Sequence, residues 1–133
     1  MTSNPRRVNN MTVKVVYNKC FGGFGISKIC AEWMAERGHE GAIELLKLDR
    51  EWQEDESDEY WGGWHGGAFN CDRHDPMLVE AVETLGDTVN GDVSELKVHM
   101  LKHGNRYIID QYDGMEKVVE PEDIKWTYAS VQT

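Results

Sequence analysis

A loop rich in glycine and phenylalanine is the first part of this sequence that could do chemistry. The loop leads from an apolar stretch into Ser27, which can cap the N-terminus of a helix. Exposed N–H groups at a helix N-terminus bind anions, Lys28 could add a positive charge, and two phenylalanines could stack on a base. The pattern therefore predicts a site for a nucleotide-like small molecule. The candidate ligand-binding residues of this loop are Phe21, Gly22, Gly23, Phe24, Gly25, Ser27 and Lys28.

The same loop has a purely structural interpretation. Its spacing matches neither the dinucleotide fingerprint nor the P-loop, and a tight turn with Phe21 and Phe24 buried would use the same residues. Both interpretations exclude a Cβ, so we expect Gly23 or Gly25 to have a positive φ or to lie against another backbone. Gly25→Val should then destabilise the domain.

Arg73 is the second candidate for ligand binding. It stands with His74 just before Asp75 and Pro76, which are typical of a helix start. A guanidinium binds a phosphate or carboxylate through two parallel hydrogen bonds, so Arg73 could complete an anion site. The alternative is a salt bridge to Asp72, Asp75 or the acidic segment described below. If Arg73 is exposed and functional, Arg73→Ala should cost less than about 1 kcal/mol.

Metal binding and catalysis receive little support from the spacing of the cysteines and histidines. Cys71 and His74, with His65 nearby and Cys20 elsewhere, have the right ligand types for zinc, but their spacing matches no known zinc motif. Cys20 could be a nucleophile, although a buried structural cysteine explains it as well. The histidines that could serve as its base are His65, His74, His99 and His103. We therefore predict no metal, no cofactor and no catalytic residue, and an enzyme is the less favoured class.

Charge suggests a different kind of partner. The chain has 133 residues and a net charge of −10, and residues 49–59 (DREWQEDESDE) hold seven acids and one base. This balance disfavours direct contact with nucleic acid and favours a basic protein partner, such as a host protein with a nucleic-acid-binding surface. Solubility alone is the alternative explanation. The candidate partner-binding residues are Glu54, Asp55, Glu56, Asp58 and Glu59.

The helices and strands that must position these residues are predicted to form a small single α+β domain over 12–128. Apolar periodicity indicates helices at 27–37 and 75–85, and alternation indicates strands near 12–18, 96–100, 107–112 and 115–119. We expect a mixed, mostly antiparallel sheet of four to five strands with both helices on one face. The alternative is an α/β layer with the first strand central and parallel to a neighbour. Residues 41–48 fit strand or helix, 49–70 are expected to be an inserted loop, 1–11 a disordered leader and 129–133 a frayed tail.

Several strings of the sequence resemble an uncharacterised family of small proteins encoded by bacteriophages and large DNA viruses. They are VYNKCFGGFGIS at 16–27, RHDPMLV at 73–79 and IDQYDGMEKV at 109–118. The strings occur along the chain in the same order as in that family. The resemblance implies a viral accessory protein in an infected cell and brings no catalytic residues with it. We expect such a protein to bind and inhibit a host protein or, alternatively, to sequester a nucleotide-like signal.

The expected location is the host cytoplasm. No stretch approaches the roughly 20 apolar residues of a membrane helix, and the polar start of the chain is unlike a signal peptide. The three cysteines, an odd number without a CxxC pair, are typical of free thiols in a reducing compartment.

Overall fold

The structure is a computed structural model that describes residues 12–54 and 63–130. Within these residues it contains three α-helices and four strands, which confirms a small α+β fold. The helices are α1 (Lys28–Glu36), α2 (Glu40–Glu54) and α3 (Pro76–Leu85). The strands are β1 (Lys14–Asn18), β2 (Leu96–Met100), β3 (Ile108–Tyr112) and β4 (Met115–Val119). Short 3-10 helices lie at Gly66–Ala68, Gly86–Val89 and Pro121–Asp123.

The strands form two separate antiparallel pairs, β1 with β2 and β3 with β4. Among the described residues, the prediction of one sheet with four to five strands is therefore not confirmed, and β1 is antiparallel to its partner rather than parallel to a neighbour. The reason lies at the outer edge of β1. There the N–H of Val16 donates to the carbonyl of Arg73 at 2.8 Å and the N–H of Asn18 donates to the Glu116 carboxylate at 2.9 Å. These groups take the donors that a further strand would need.

Two helices begin and end where the sequence predicts. Ser27 caps α1 by accepting from the Cys30 N–H, and Asp75 caps α3 by accepting from the amides of Met77 and Leu78. Pro76 occupies the first turn of α3, and Gly86 ends that helix with a φ of 58°. Local capping chemistry therefore determines these boundaries.

The third helix corrects two expectations. α2 includes residues 41–48, whose pattern was ambiguous, and continues through residues 49–54, which were expected to start an inserted loop. Ala42, Leu45 and Asp49 are its buried residues, and their spacing places them on one face. Asp49 lies 3.7 Å from the Lys28 ammonium of α1, so an acid of the charged block is buried beside a neighbouring helix. The remainder of that block, residues 55–59, lies outside the described residues.

The strand β1 separates two hydrophobic clusters. Val16 faces the main core, which the three helices and β2 build with buried residues such as Met34, Leu45 and Leu78. Val15, on the opposite face, packs with Leu101 and Val118 beneath the β3–β4 hairpin. Because successive side chains of a strand point to opposite faces, one strand joins both layers.

The β3–β4 hairpin confirms the predicted turn at residues 113–114. Asp113 and Gly114 have φ values of 55° and 90°, as a two-residue hairpin turn of the mirror-image type requires.

A buried carboxylate lies beyond β4. Glu120 accepts hydrogen bonds from His99 at 2.9 Å and from the Lys102 N–H at 2.8 Å. The hydrogen bond from His99 holds the pKa of Glu120 below its ordinary value, although burial acts in the opposite direction. Within the described ranges, no helix combines the length and the apolar character that crossing a bilayer requires.

Candidate functional site

The glycine loop forms one wall of a cleft of about 280 Å³. Gly22, Gly23, Phe24 and Gly25 line this cleft together with the segments 64–67 and 91–94. Four of the predicted ligand-binding residues are thus brought together around one concavity. Phe21 is 57% exposed and is not part of the cleft lining.

Backbone packing explains the glycines of the loop. Gly23 has a φ of +96°, and a Cβ on Gly25 would lie 3.2 Å from the Gly67 nitrogen. Both observations confirm the expectation that one of these two positions excludes a side chain. The loop is therefore a tight backbone contact as well as a cleft wall.

Gly25→Val is expected to lower the free energy of unfolding by roughly 1–3 kcal/mol, because a branched side chain would press on the backbone at Gly66 and Gly67. Urea denaturation measures the change. Gly63→Val is the matched control, since a Cβ there meets nothing within 4 Å. Equal midpoints for the two variants would contradict the close backbone approach.

The polar residues predicted to hold an anion at α1 are used within the fold. The Ser27 hydroxyl accepts from the Cys30 N–H at 3.0 Å and donates to the carbonyl of Thr88. Lys28 faces the buried Asp49. The N-terminus of α1 is thus already capped, and its nearest positive charge has a partner.

Arg73 lies between the loop and the hairpin. Its guanidinium stacks on the Phe24 ring, 3.6 Å from the centroid, and forms two parallel bonds with the Glu116 carboxylate, of which Nη2–Oε2 measures 2.8 Å. The side chain of Glu116 is only 6% exposed. Of the two interpretations of Arg73, the geometry therefore matches the salt bridge, with a partner 43 residues away that the sequence did not indicate.

Asn18 is a buried residue with a role that its sequence context does not by itself predict. Its side-chain amide donates to the carbonyls of Cys20 and Gly114, and its oxygen accepts from the amides of Cys20 and Glu95. The glycine loop, the hairpin turn and the segment before β2 thus meet at one side chain. The feature of the sequence that points to this role is a polar residue at the end of an apolar strand.

A larger cavity of about 670 Å³ lies between the α1–α2 turn and the start of α3. His39, Cys71 and Asp75 line it and approach one another closely. His39 Nε2 is 3.6 Å from Cys71 Sγ and 3.3 Å from Asp75 Oδ2. Spacing in the sequence pairs Cys71 with His74, but His74 Nδ1 lies 2.7 Å from the Tyr107 hydroxyl.

Backbone capping orients two members of this cluster. His39 Nδ1 accepts from the Ala42 N–H at 3.1 Å, at the start of α2. Asp75 Oδ1 accepts from the first amides of α3, so its Oδ2 is left to face His39. Two helix starts thereby direct one nitrogen and one oxygen toward the same sulfur. The Cys71-x3-Asp75 spacing was visible in the sequence, whereas nothing local joins His39 to it.

The cluster does not favour nucleophilic chemistry by Cys71. Burial and then the neighbouring Asp75 raise the pKa of the Cys71 thiol to about 12, so the thiolate needed for attack is scarce near neutral pH. Burial disfavours ionised Asp75 too, but the amides of Leu78 and Met77 and the contact with His39 hold its pKa below the ordinary value. An ionised carboxylate beside a protonated thiol is the resulting state.

The partner-binding residues predicted on the acidic segment are only partly visible. Glu54 is exposed at the end of α2, and Asp55, Glu56, Asp58 and Glu59 lie outside the described residues. The hairpin carries exposed apolar side chains, since Ile108 and Tyr112 of β3 are 57% and 79% exposed. Asp110 stands between them on the same face.

Comparisons with known proteins do not identify the chain. No protein-family model, curated protein or solved structure matched it. The resemblance to a viral family therefore stays a prediction from the residues quoted above.

Proposed function

We propose that this chain is a non-enzymatic viral accessory protein that binds and inhibits a basic protein of the host cell. The exposed face of β3 is the binding surface, and it is the single observation on which the proposal rests. The setting is the cytoplasm of the infected cell, in keeping with the viral resemblance and the free cysteines.

The hairpin offers both apolar contacts and a strand edge. Among the described residues β3 pairs with β4 alone, so the backbone groups of its outer edge are available to a strand of another protein. Ile108 and Tyr112 project from the same face beside that edge. An exposed tyrosine supplies a large contact area at low entropic cost, which is why aromatic residues are enriched at interfaces.

Charge selects the partner. A net charge of −10 attracts a basic surface over a distance and repels acidic ones. A host protein whose own ligand is a nucleic acid has such a surface. The acidic chain would compete with phosphates there, which is the expected form of inhibition.

Affinity capture from host lysate tests this proposal. We expect one host protein to be retained by the wild type at low ionic strength and lost as salt is raised, because exposed charges are screened. The double variant Ile108→Ser and Tyr112→Ser should lose that protein. The matched control is the double variant Ile43→Ser and Val93→Ser, which removes two exposed apolar side chains from other surfaces.

Both double variants should melt near the wild-type temperature, because the replaced side chains are exposed. Retention of the same protein by the hairpin variant would contradict the assignment of the surface. Reproducible capture of no protein by the wild type would contradict the function itself.

The cleft beside the glycine loop supports a second candidate, sequestration of a nucleotide-like small molecule. Gly22, Gly23, Phe24 and Gly25 line it, but Asp92 lines it as well and would repel a phosphate. With Lys28 and Arg73 engaged elsewhere, the backbone N–H groups would be the anion donors.

A thermal-shift screen against linear and cyclic nucleotides tests this candidate. A ligand at 100 times its Kd adds about 2.7 kcal/mol to the stability and raises the melting temperature. Asp92→Asn should strengthen the shift by removing the repulsion. No shift with any nucleotide, for the wild type or for Asp92→Asn, would remove the candidate.

A further inference from the structure

We propose that His39, Cys71 and Asp75 bind a zinc ion, at a site separate from the hairpin surface. The ligand atoms are His39 Nε2, Cys71 Sγ and Asp75 Oδ2. A fourth coordination position faces the 670 Å³ cavity, where water completes the tetrahedron.

Two of the ligand-to-ligand distances fit a tetrahedral ion. Zinc bonds of about 2.0–2.3 Å to nitrogen, oxygen and sulfur imply ligand-to-ligand edges of about 3.3–3.6 Å. The observed separations are 3.3 Å for Nε2–Oδ2 and 3.6 Å for Nε2–Sγ, and all three ligand atoms lie within 4.8 Å of one another. His39 Nε2 therefore already stands at a tetrahedral distance from both other ligand atoms, and the third pair lies within 4.8 Å.

The identity of the ligands selects the metal. A soft sulfur combined with an imidazole nitrogen suits zinc and related transition metals, whereas magnesium and calcium prefer oxygen ligands alone. The Asp75 carboxylate keeps its bonds to the amides of Met77 and Leu78 through Oδ1, which would hold the ligand oxygen in place.

Metal binding moves protons in a defined way. In the metal-free protein His39 Nδ1 accepts from the Ala42 N–H, so the neutral ring carries its proton on Nε2. When the ion binds, Nε2 gives up its proton and Nδ1 takes one from solvent, so the hydrogen bond from the Ala42 N–H to Nδ1 is lost. The Cys71 thiol releases its proton to solvent, so one proton is released per ion bound.

Titration of untagged protein with Co²⁺ and then Zn²⁺ tests the site. We expect one Co²⁺ per chain, a thiolate-to-cobalt charge-transfer band and the visible absorption of tetrahedral cobalt, all abolished by one equivalent of Zn²⁺. Cys71→Ser and His39→Asn should each weaken Zn²⁺ binding by at least about 100-fold. Losing a residue that only supports a ligand costs up to about 100-fold, and losing the ligand itself should cost at least as much. Cys20→Ser is the matched control and should bind like the wild type.

A second measurement follows the protons. Nitrogen-15 NMR of His39 should show the ring proton on Nε2 without metal and on Nδ1 with one equivalent of Zn²⁺. His39→Asn retains a side chain that can cap α2, so its loss of binding is separable from misfolding. Octahedral cobalt without a thiolate band, equal binding by Cys71→Ser and the wild type, or a His39 proton that stays on Nε2 would each overturn the proposal.

Discussion

Arg73→Ala is expected to lower the free energy of unfolding by about 3 kcal/mol, because it leaves the Glu116 carboxylate buried without its counter-charge. This value is at the lower end for a broken buried pair, since the Arg73 side chain is still 21% exposed. The variant also loses the stacking contact with Phe24. A loss of this size would contradict the expectation from the sequence that an exposed functional arginine contributes less than about 1 kcal/mol.

Urea denaturation measures the effect, and a double-mutant cycle with Glu116→Gln isolates the pair. We expect a coupling energy of about 1–3 kcal/mol between the two positions. Lys14→Ala is the matched control, because the Lys14–Glu83 pair has a short distance of 2.8 Å but is exposed on both sides. That control should cost less than about 1 kcal/mol. Similar losses for Arg73→Ala and Lys14→Ala would contradict the role assigned to the buried pair.

Asn18→Asp is expected to cost about 3 kcal/mol at pH 7, although it changes the shape of the side chain very little. The amide nitrogen of Asn18 donates to two carbonyls, of Cys20 and Gly114, and an ionised carboxylate would place an oxygen against both. A buried group that loses its donors and gains a charge is strongly unfavourable. The glycine loop and the hairpin turn should loosen together.

The loss caused by Asn18→Asp should depend on pH. The introduced carboxyl would have a raised pKa in the folded state, because only its protonated form can donate to a carbonyl. The variant should therefore approach wild-type stability in acid and lose stability as pH rises. Asn105→Asp is the exposed control, with an expected change within about 0.5 kcal/mol. A pH-independent difference between Asn18→Asp and the wild type would contradict the buried amide network.

Features with a local cause could be predicted from the sequence. Ser27 and Asp75 begin helices because their side chains accept hydrogen bonds from amides two or three residues away. Asp113-Gly114 forms the hairpin turn because both positions adopt a positive φ. The need for glycine at residue 23 has the same kind of cause, a positive φ of 96°, whereas Gly25 is constrained by the distant backbone of Gly67. The helix caps and the hairpin turn depend on neighbours in the chain, so spacing alone reveals them.

The secondary structure of residues 41–54 depends on contacts with another helix. The alternation of residues 41–48 fitted two elements, and the acids that follow suggested exposure. In the structure the segment is helical because Ala42, Leu45 and Asp49 pack against α1, where Lys28 accommodates the buried acid. Local propensity was too weak to predict a helix that tertiary contacts stabilise.

The sheet and the site were decided entirely by contacts between distant residues. The carbonyl of Arg73 and the carboxylate of Glu116 occupy the edge of β1, which divides four strands into two pairs. His39 meets Cys71 only because two helix starts converge on one cavity. The sequence by itself determined the helix caps, the hairpin turn and the positive φ of Gly23, since each has its cause within a few residues. Only the tertiary structure decided what Arg73, Glu116, His39 and Cys71 contact, because those partners are separated by 32 to 43 residues and no local pattern encodes the pairing.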